Sequence, residues 1–260
     1  MLRTLASGVV LALSLAAPAL SATYGTLDGS RPLIIAHRGA SGYLPEHTLA
    51  AYELAIQMGA DIVEPDLQTT SDGELVAMHD SSLTRTTNVE ALFAPRNGGY
   101  AVSDFTLAEI RTLTVEPASS TASTSYPGYT PSMADPFKVP TFSEVMDFVN
   151  AHNASSGDDI GIYPEAKTPN STAMNTKILE EMQAKGFTDP SDNAYLQTFS
   201  HAGARELAEL QVLFGLDNHV AALGYAQLTD EGHGLSDAST RTASLPRDLA
   251  LFADGLAVGL

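Results

Sequence analysis

Two apolar runs, at 33–36 and 62–68, are separated by a single amphipathic stretch, and that spacing limits the fold more than any other feature of the chain. Thr48 is placed to cap a helix over 49–58, with Leu49, Tyr52 and Ile56 on one face and Gly59 ending it. A strand, a crossover helix and a second strand set the two strands parallel. The pattern predicts an α/β fold with a parallel sheet. The next segment reads differently. Asp72-Gly73 is a hairpin signal, and the apolar residues 75–78 follow too soon for a parallel crossover. Residues 62–80 are therefore expected to fold back as a hairpin. A two-residue turn there pairs Ser71 with Glu74 and sets His79 opposite Asp66.

The alternation resumes after residue 158. Strands are expected at 160–167, 194–199 and 219–224, with helices at 174–185 and 202–214 between them. Residues 227–247 read as polar loop and 256–260 as one more strand. The intervening segment, 88–158, reads as an insertion. Within it, Thr106-Leu107-Ala108-Glu109 and Thr141-Phe142-Ser143-Glu144 each match a capping box for a short helix. Residues 117–136 are rich in Ser, Thr and Pro and are expected to be a surface loop.

Three strands end in ionisable groups: His37-Arg38, then Glu64 and Asp66, then Glu165 and Lys167. In α/β barrels the functional side chains gather at the C-terminal ends of the strands. The two-residue period places Glu64 and Asp66 on one face of their strand, and Glu165 and Lys167 likewise. Three carboxylates suit a hard, oxygen-preferring cation such as Ca²⁺ or Mg²⁺. The chain has no cysteine, so a soft-ligand zinc or copper site is disfavoured. His37 and His79 are suited to acid/base work near neutral pH. Arg38 and Lys167 suit the non-bridging oxygens of a phosphate. Each feature alone is ordinary, since a Glu-x-Asp pair is usually a solvated strand face and His-Arg a surface ion pair. Their coincidence at three strand ends points to a site. His201, His219 and His233 read as surface or loop residues.

His37-Arg38-Gly39, Pro45-Glu46-His47-Thr48, Glu64-x-Asp66, Thr70-x-Asp72-Gly73 and His79-Asp80 together resemble the signature of glycerophosphodiester phosphodiesterases. Tyr163-Pro164-Glu165-Ala166-Lys167 and Tyr195-Leu196-Gln197-Thr198-Phe199 are similar to the exported, periplasmic branch. The resemblance runs from about residue 32 onward. It implies a distorted TIM-type (β/α)8 barrel that hydrolyses glycerophosphodiesters to sn-glycerol 3-phosphate and an alcohol. It also implies His37 and His79 as the acid/base pair, and Glu64, Asp66 and Glu165 as ligands of a divalent cation, Ca²⁺ in that branch. Arg38 and Lys167 become the phosphate contacts. Family chains continue past a strand like Ala253-Asp254-Gly255 with about two more βα units, so a barrel truncated before those units is expected. Alternatives are a phospholipase D-like enzyme, or an exported binding protein or adhesin that keeps the fold without turnover.

Charge and the N-terminus bound the partners. With 31 acidic against 13 basic residues, the net charge of −18 disfavours nucleic acid and anionic lipid but not a small phosphate ester. Arg3, the apolar run 5–20 and small residues ending at Ala22 form the pattern of an export signal over 1–22, leaving 23–260 as the barrel domain. A soluble periplasmic or secreted protein without a stable membrane anchor is expected.

Overall fold

The first strand, β1 (Ile35–His37), is parallel to β2 (Ile62–Glu64), with helix α1 (Leu49–Gln57) as the crossover between them. The computed structural model describes residues 29–168 and 170–259; the expected export signal at 1–22 lies outside them. From Leu33 onward the chain is one compact unit, and residues 29–32 before it are irregular. Thr48 caps α1, its side chain accepting from the Ala51 N–H, a bond worth about 1 kcal/mol. Gly39 sits at φ 77°, where an added Cβ would lie 2.7 Å from the Ala51 carbonyl carbon. Glycine thus lets the turn after His37-Arg38 press directly on the helix.

The chain passes from β2 through Pro65 into β3 (Asp66–Thr69), then turns into the antiparallel β4 (Leu75–Ala77). The register differs from the expected one. Leu67 pairs with Ala77 and Thr69 with Leu75, so Asp66 lies opposite Met78, whose N–H donates to the Asp66 carbonyl at 2.8 Å. The turn has three residues, not two. Gly73 N–H donates to the Thr70 carbonyl and Thr70 N–H to the Glu74 carbonyl, with Gly73 at φ 85° supplying the left-handed position. The Thr70 hydroxyl donates to Asp72 at 2.6 Å and accepts from Glu74 N–H at 2.9 Å, which favours the longer loop.

The region expected as an insertion divides in two. Helices α2 (Val89–Leu92) and α3 (Leu107–Ile110) belong to a separate apolar cluster that includes Leu83, Phe105 and Leu113. Residues 117–136 are irregular, as expected, yet Tyr126 and Tyr129 pack over α1. Helix α4 (Phe142–Ser156) is not short. It is fifteen residues, and Phe142, Val145, Met146 and Val149 enter the main core. Both predicted capping boxes form, at Thr106 with Glu109 and at Thr141 with Glu144.

Parallel strands then follow in order. These are β5 (Gly161–Ile162) and β6 (Glu165–Ala166), α5 (Thr172–Lys185), β7 (Tyr195–Thr198), α6 (His201–Phe214) and β8 (His219–Thr229). The region expected as polar loop is not one. β8 runs on to Thr229 and folds back through β9 (Gly232–Ser236) to β10 (Ala243–Ser244). The short helix α7 (Pro246–Leu249) leads to β11 (Gly255–Gly259), parallel to β8. Among the described residues, six strand positions therefore lie side by side in chain order, with helices as crossovers, forming a distorted barrel wall.

The distortion has a sequence cause. Pro65 and Pro164 interrupt neighbouring strands, and neither has an N–H to give to a ladder. Their carbonyls still accept, from Glu165 N–H at 2.9 Å and Gln197 N–H at 3.1 Å, so the wall bends without opening. The bend lies just before Asp66 and Glu165, and turns both strand ends towards the same mouth.

Candidate active site

The site is built from strand register. His37 is the partner of Glu64, Asp66 of Glu165, and Glu165 of Gln197. Residues in register on neighbouring strands leave the wall on the same side. Ligand oxygens of Glu64, Asp66 and Glu165 accordingly lie within 4.8 Å of one another, all three buried.

Such a cluster needs compensation, and the chain supplies it. Asp66 is fully buried. Its Oδ2 lies 2.8 Å from His47 Nε2 and 3.2 Å from Arg38 Nε, and Lys167 Nζ is 3.5 Å from Oδ1 and 3.0 Å from Glu165. Burial alone would raise the Asp66 carboxyl, but the His47 hydrogen bond and the nearby charges hold it well below the usual range. It is therefore ionised and can only accept, which makes His47 Nε2 the donor. Glu64 accepts from Arg38 N–H at 3.0 Å and from the Gln197 amide at 2.8 Å. Burial, with Asp66 beside it, still pushes its carboxyl well above the ordinary value. Glu165 is raised to about 7, by burial first; Lys167 opposes the rise and Asp66 adds to it.

Backbone strain marks the same place. Arg38 and His47, neither of them glycine, sit at φ 61° and 59°, each costing of the order of 1–3 kcal/mol. His47 N–H donates to the Arg38 carbonyl at 3.1 Å, closing the loop between them. That closure brings both side chains onto Asp66.

His37 stands exposed at the mouth. Partial desolvation, then Arg38, hold its imidazole below the ordinary value. His79 follows β4 and is not opposite Asp66, yet it lines the same cavity as His37, Arg38, Glu165 and Lys167, with a volume of about 800 Å³. Its Nδ1 is 2.6 Å from Asp80. Asp80 is held at about 2, chiefly by its hydrogen bonds from Arg85, so it accepts and His79 Nδ1 donates. Arg85 also holds Glu46 through two bonds of 2.7 and 3.0 Å, and Glu46 faces Arg38 at 3.5 Å. One ionic chain thus links the two sides of the mouth.

Five of the seven predicted residues, His37, Arg38, His79, Glu165 and Lys167, line one cavity, and Glu64 and Asp66 are buried in a cluster with Glu165. Residues that the sequence reading did not assign are His47, Gln197, Asp80, Arg85 and Glu46. His47 and Glu46 lie in Pro45-Glu46-His47-Thr48, Gln197 in Tyr195-Leu196-Gln197-Thr198-Phe199 and Asp80 beside His79, but only three-dimensional contact shows what they hold. Arg85 carried no local signal. His201 is buried at the start of α6 and is not a surface residue, its Nδ1 2.9 Å from the Ser244 hydroxyl.

The carboxylates fit a divalent cation on their own chemistry. All donors are oxygen, two of the three carboxyls are destabilised as anions by burial, and the buried Asp66 Oδ1 accepts no hydrogen bond. A positive ion there would relieve each of these. Without a cation, a group with a raised folded pKa stabilises the fold below its unfolded value and loses that contribution as pH rises through the folded one. Glu165 therefore predicts falling thermal stability between pH 4.5 and about 7. Added calcium should cancel the fall, and scanning calorimetry with and without the ion checks it. His37 and His47, held below the ordinary imidazole value, contribute the opposite slope, so the quantity read is parent minus Glu165→Gln; a difference that rises through this window in chelator would refute the assignment.

Residues 37–244 match the glycerophosphoryl diester phosphodiesterase family. Among curated relatives, a glycerophosphodiester phosphodiesterase of Haemophilus influenzae is 38% identical over 201 residues, covering 72% of this chain and 55% of the relative. One of Bacillus subtilis is 35% identical over 218 residues, covering 82% and 68%. This chain thus spans roughly half to two thirds of their length. In structure it resembles a protein of Silicibacter pomeroyi with a TM-score of 0.62 at 20% identity, over 84% of this chain and 71% of the other. It also resembles an Oleispira antarctica phosphodiesterase solved with the product sn-glycerol-3-phosphate, with a TM-score of 0.51 at 21% identity over 75% and 67%. These likenesses show the barrel fold. With its matched region taking in the whole charged mouth, the chain belongs to the glycerophosphoryl diester phosphodiesterase family.

Proposed function

We propose that this chain hydrolyses glycerophosphodiesters to sn-glycerol 3-phosphate and an alcohol, using His37 and His79 as base and acid. The observation that carries the reading is a cavity lined by both histidines, Arg38, Lys167 and Glu165, with Glu165 clustered with the buried carboxylates of Glu64 and Asp66. The Oleispira relative's bound product supports the choice of substrate.

His37, held towards its neutral form, takes at a ring nitrogen one proton of the attacking water as the water oxygen bonds to phosphorus. His79, fixed by Asp80 at Nδ1, presents Nε2 to the departing oxygen. With both ring nitrogens protonated it gives the Nε2 proton to the leaving alcohol as the phosphorus–oxygen bond breaks. Arg38 and Lys167 supply positive charge for the phosphoryl oxygens. Glu64, Asp66 and Glu165 would hold a divalent cation, which when bound polarises substrate oxygens. Calcium is the proposed ion, as the resemblance to the exported branch implies; the three carboxylates, on β2, β3 and β6, form an oxygen set suited to a hard cation.

The direct test is glycerol 3-phosphate release from glycerophosphocholine with calcium and with EDTA. Release with calcium that disappears in EDTA is expected. Equal release in both would remove the cation from the scheme, and none under either condition would remove the activity.

Residues 1–22 are proposed as an export signal for the periplasm, supported by the basic start, apolar run and small-residue end. Intact-mass analysis of the protein recovered from the expressing cells should find a chain cleaved near Ala22. An uncleaved chain confined to the cytoplasm would contradict it.

A further inference from the structure

The cavity extends well past the carboxylates. Its far wall is formed by Phe199, Ser200, Tyr225, Ala238 and Ser239. Phe199 and Ser200 follow β7, Tyr225 lies in β8, and Ala238 and Ser239 come from the region 227–247 that was expected as polar loop. The rings of Phe199 and Tyr225 stack with centroids 5.8 Å apart at 28°, and this wall carries aromatic faces and hydroxyls but no charged side chain.

One buried residue sets the position of that wall. Asp237 is 3% exposed, between β9 and the loop that lines the cavity. Its Oδ2 accepts from the His201 N–H at 2.6 Å, at the start of α6. Its Oδ1 accepts from the N–H and hydroxyl of Ser239, at 2.7 and 2.6 Å, and from Thr240 N–H at 2.8 Å. The loop is tied down twice more, by Ala238 N–H donating to the Phe199 carbonyl at 3.1 Å and by Ser244 against His201. A surface hairpin with no task has no need of a buried carboxylate with four hydrogen bonds. Burial raises the Asp237 carboxyl, but these donors outweigh it and hold it at about 2, so the tie stays charged at working pH.

We propose that this wall is the subsite for the leaving alcohol, that it takes compact head groups with an N-methyl or hydrocarbon surface, quaternary ammonium included, and that Asp237 is its positioning residue. The inference rests on the phosphodiesterase reading. Carboxylates, Arg38 and Lys167 occupy one end of the cavity, so a phosphate held by these cations directs its second ester towards the other. There the aromatic faces attract a cation, and no basic side chain on the wall repels it. Ser239 reaches the alcohol only while Asp237 keeps the loop against α6, whereas Tyr225 is held by the β8–β9 ladder.

The test compares two ligands by titration calorimetry in calcium: glycerophosphocholine, which has the head group, and glycerol 3-phosphate, which lacks it. Tyr225→Ala should weaken glycerophosphocholine about fivefold to tenfold and change glycerol 3-phosphate by less than about twofold. Asp237→Ala should do the same and reduce the kcat/KM preference for glycerophosphocholine over glycerophosphoinositol, and Asp237→Asn should restore part of both. If Asp237→Ala fails to fold, Tyr225→Ala carries the test alone. Equal weakening of both ligands, or none, overturns the subsite. Head-group-dependent binding without glycerol 3-phosphate release keeps the subsite and overturns the phosphodiesterase reading. Failure of both ligands to bind overturns both.

Discussion

His79→Ala is expected to lower turnover of a glycerophosphodiester by about 10²–10⁴-fold with little change in stability. The ring is 32% exposed, makes its one described hydrogen bond to Asp80, and lies outside the apolar cores. Its removal should therefore leave Tm within a few degrees of the parent. Asp80→Asn should give a smaller loss, because the ring remains but its Nδ1–H no longer donates to an anion. His37→Ala should resemble His79→Ala in turnover. Single-turnover and steady-state rates of glycerol 3-phosphate release, alongside a melting curve, provide the check. A His79→Ala protein with near-parental turnover would remove His79 from the reaction.

Asp66→Ala is expected to damage both the fold and cation binding. Asp66 is the anion against which His47, Arg38 and Lys167 are all placed, and it is completely buried. Removing one partner of such a group leaves buried charge without compensation, at a cost of about 3–5 kcal/mol. For a domain of this size that corresponds to a Tm lower by roughly 10 °C. Calcium should then add little to Tm, because one of the three carboxylates is gone. Asp66→Asn keeps the shape and should recover part of the stability without recovering the calcium effect. The split separates the structural task of the carboxylate from its proposed task as a ligand. An Asp66→Ala protein as stable as the parent would mean that the cations around it find other partners.

How much of this was legible in the chain varied with the range of the interaction. The capping boxes at Thr106 and Thr141 are local, three residues apart, and both formed as expected. The length of α4 was not legible, because its extent depends on Phe142, Val145, Met146 and Val149 meeting the main core, a long-range fact. The hairpin after Asp66 was recognised, but its register shifted by one residue because Thr70 bonds both Asp72 and Glu74. The excursion after β8 was missed for a similar reason. Its strands are short and polar, and pairing with one another gives them their shape.

The sequence alone determined which strands end in charge, and therefore six of the residues to consider, with His79 added by the hairpin that follows Asp66. A period of two fixes the face of a strand whatever lies beside it, so Glu64 went with Asp66 and Glu165 with Lys167. Only the tertiary structure decided that these ends meet, because the alignment of neighbouring strands depends on hydrogen bonds between distant segments, His37 beside Glu64 and Asp66 beside Glu165. It also decided the charge state of the cluster. Burial and the approach of Arg38, Lys167 and His47 set the Asp66, Glu64 and Glu165 carboxyls at different points, and no local pattern in the chain carries that information.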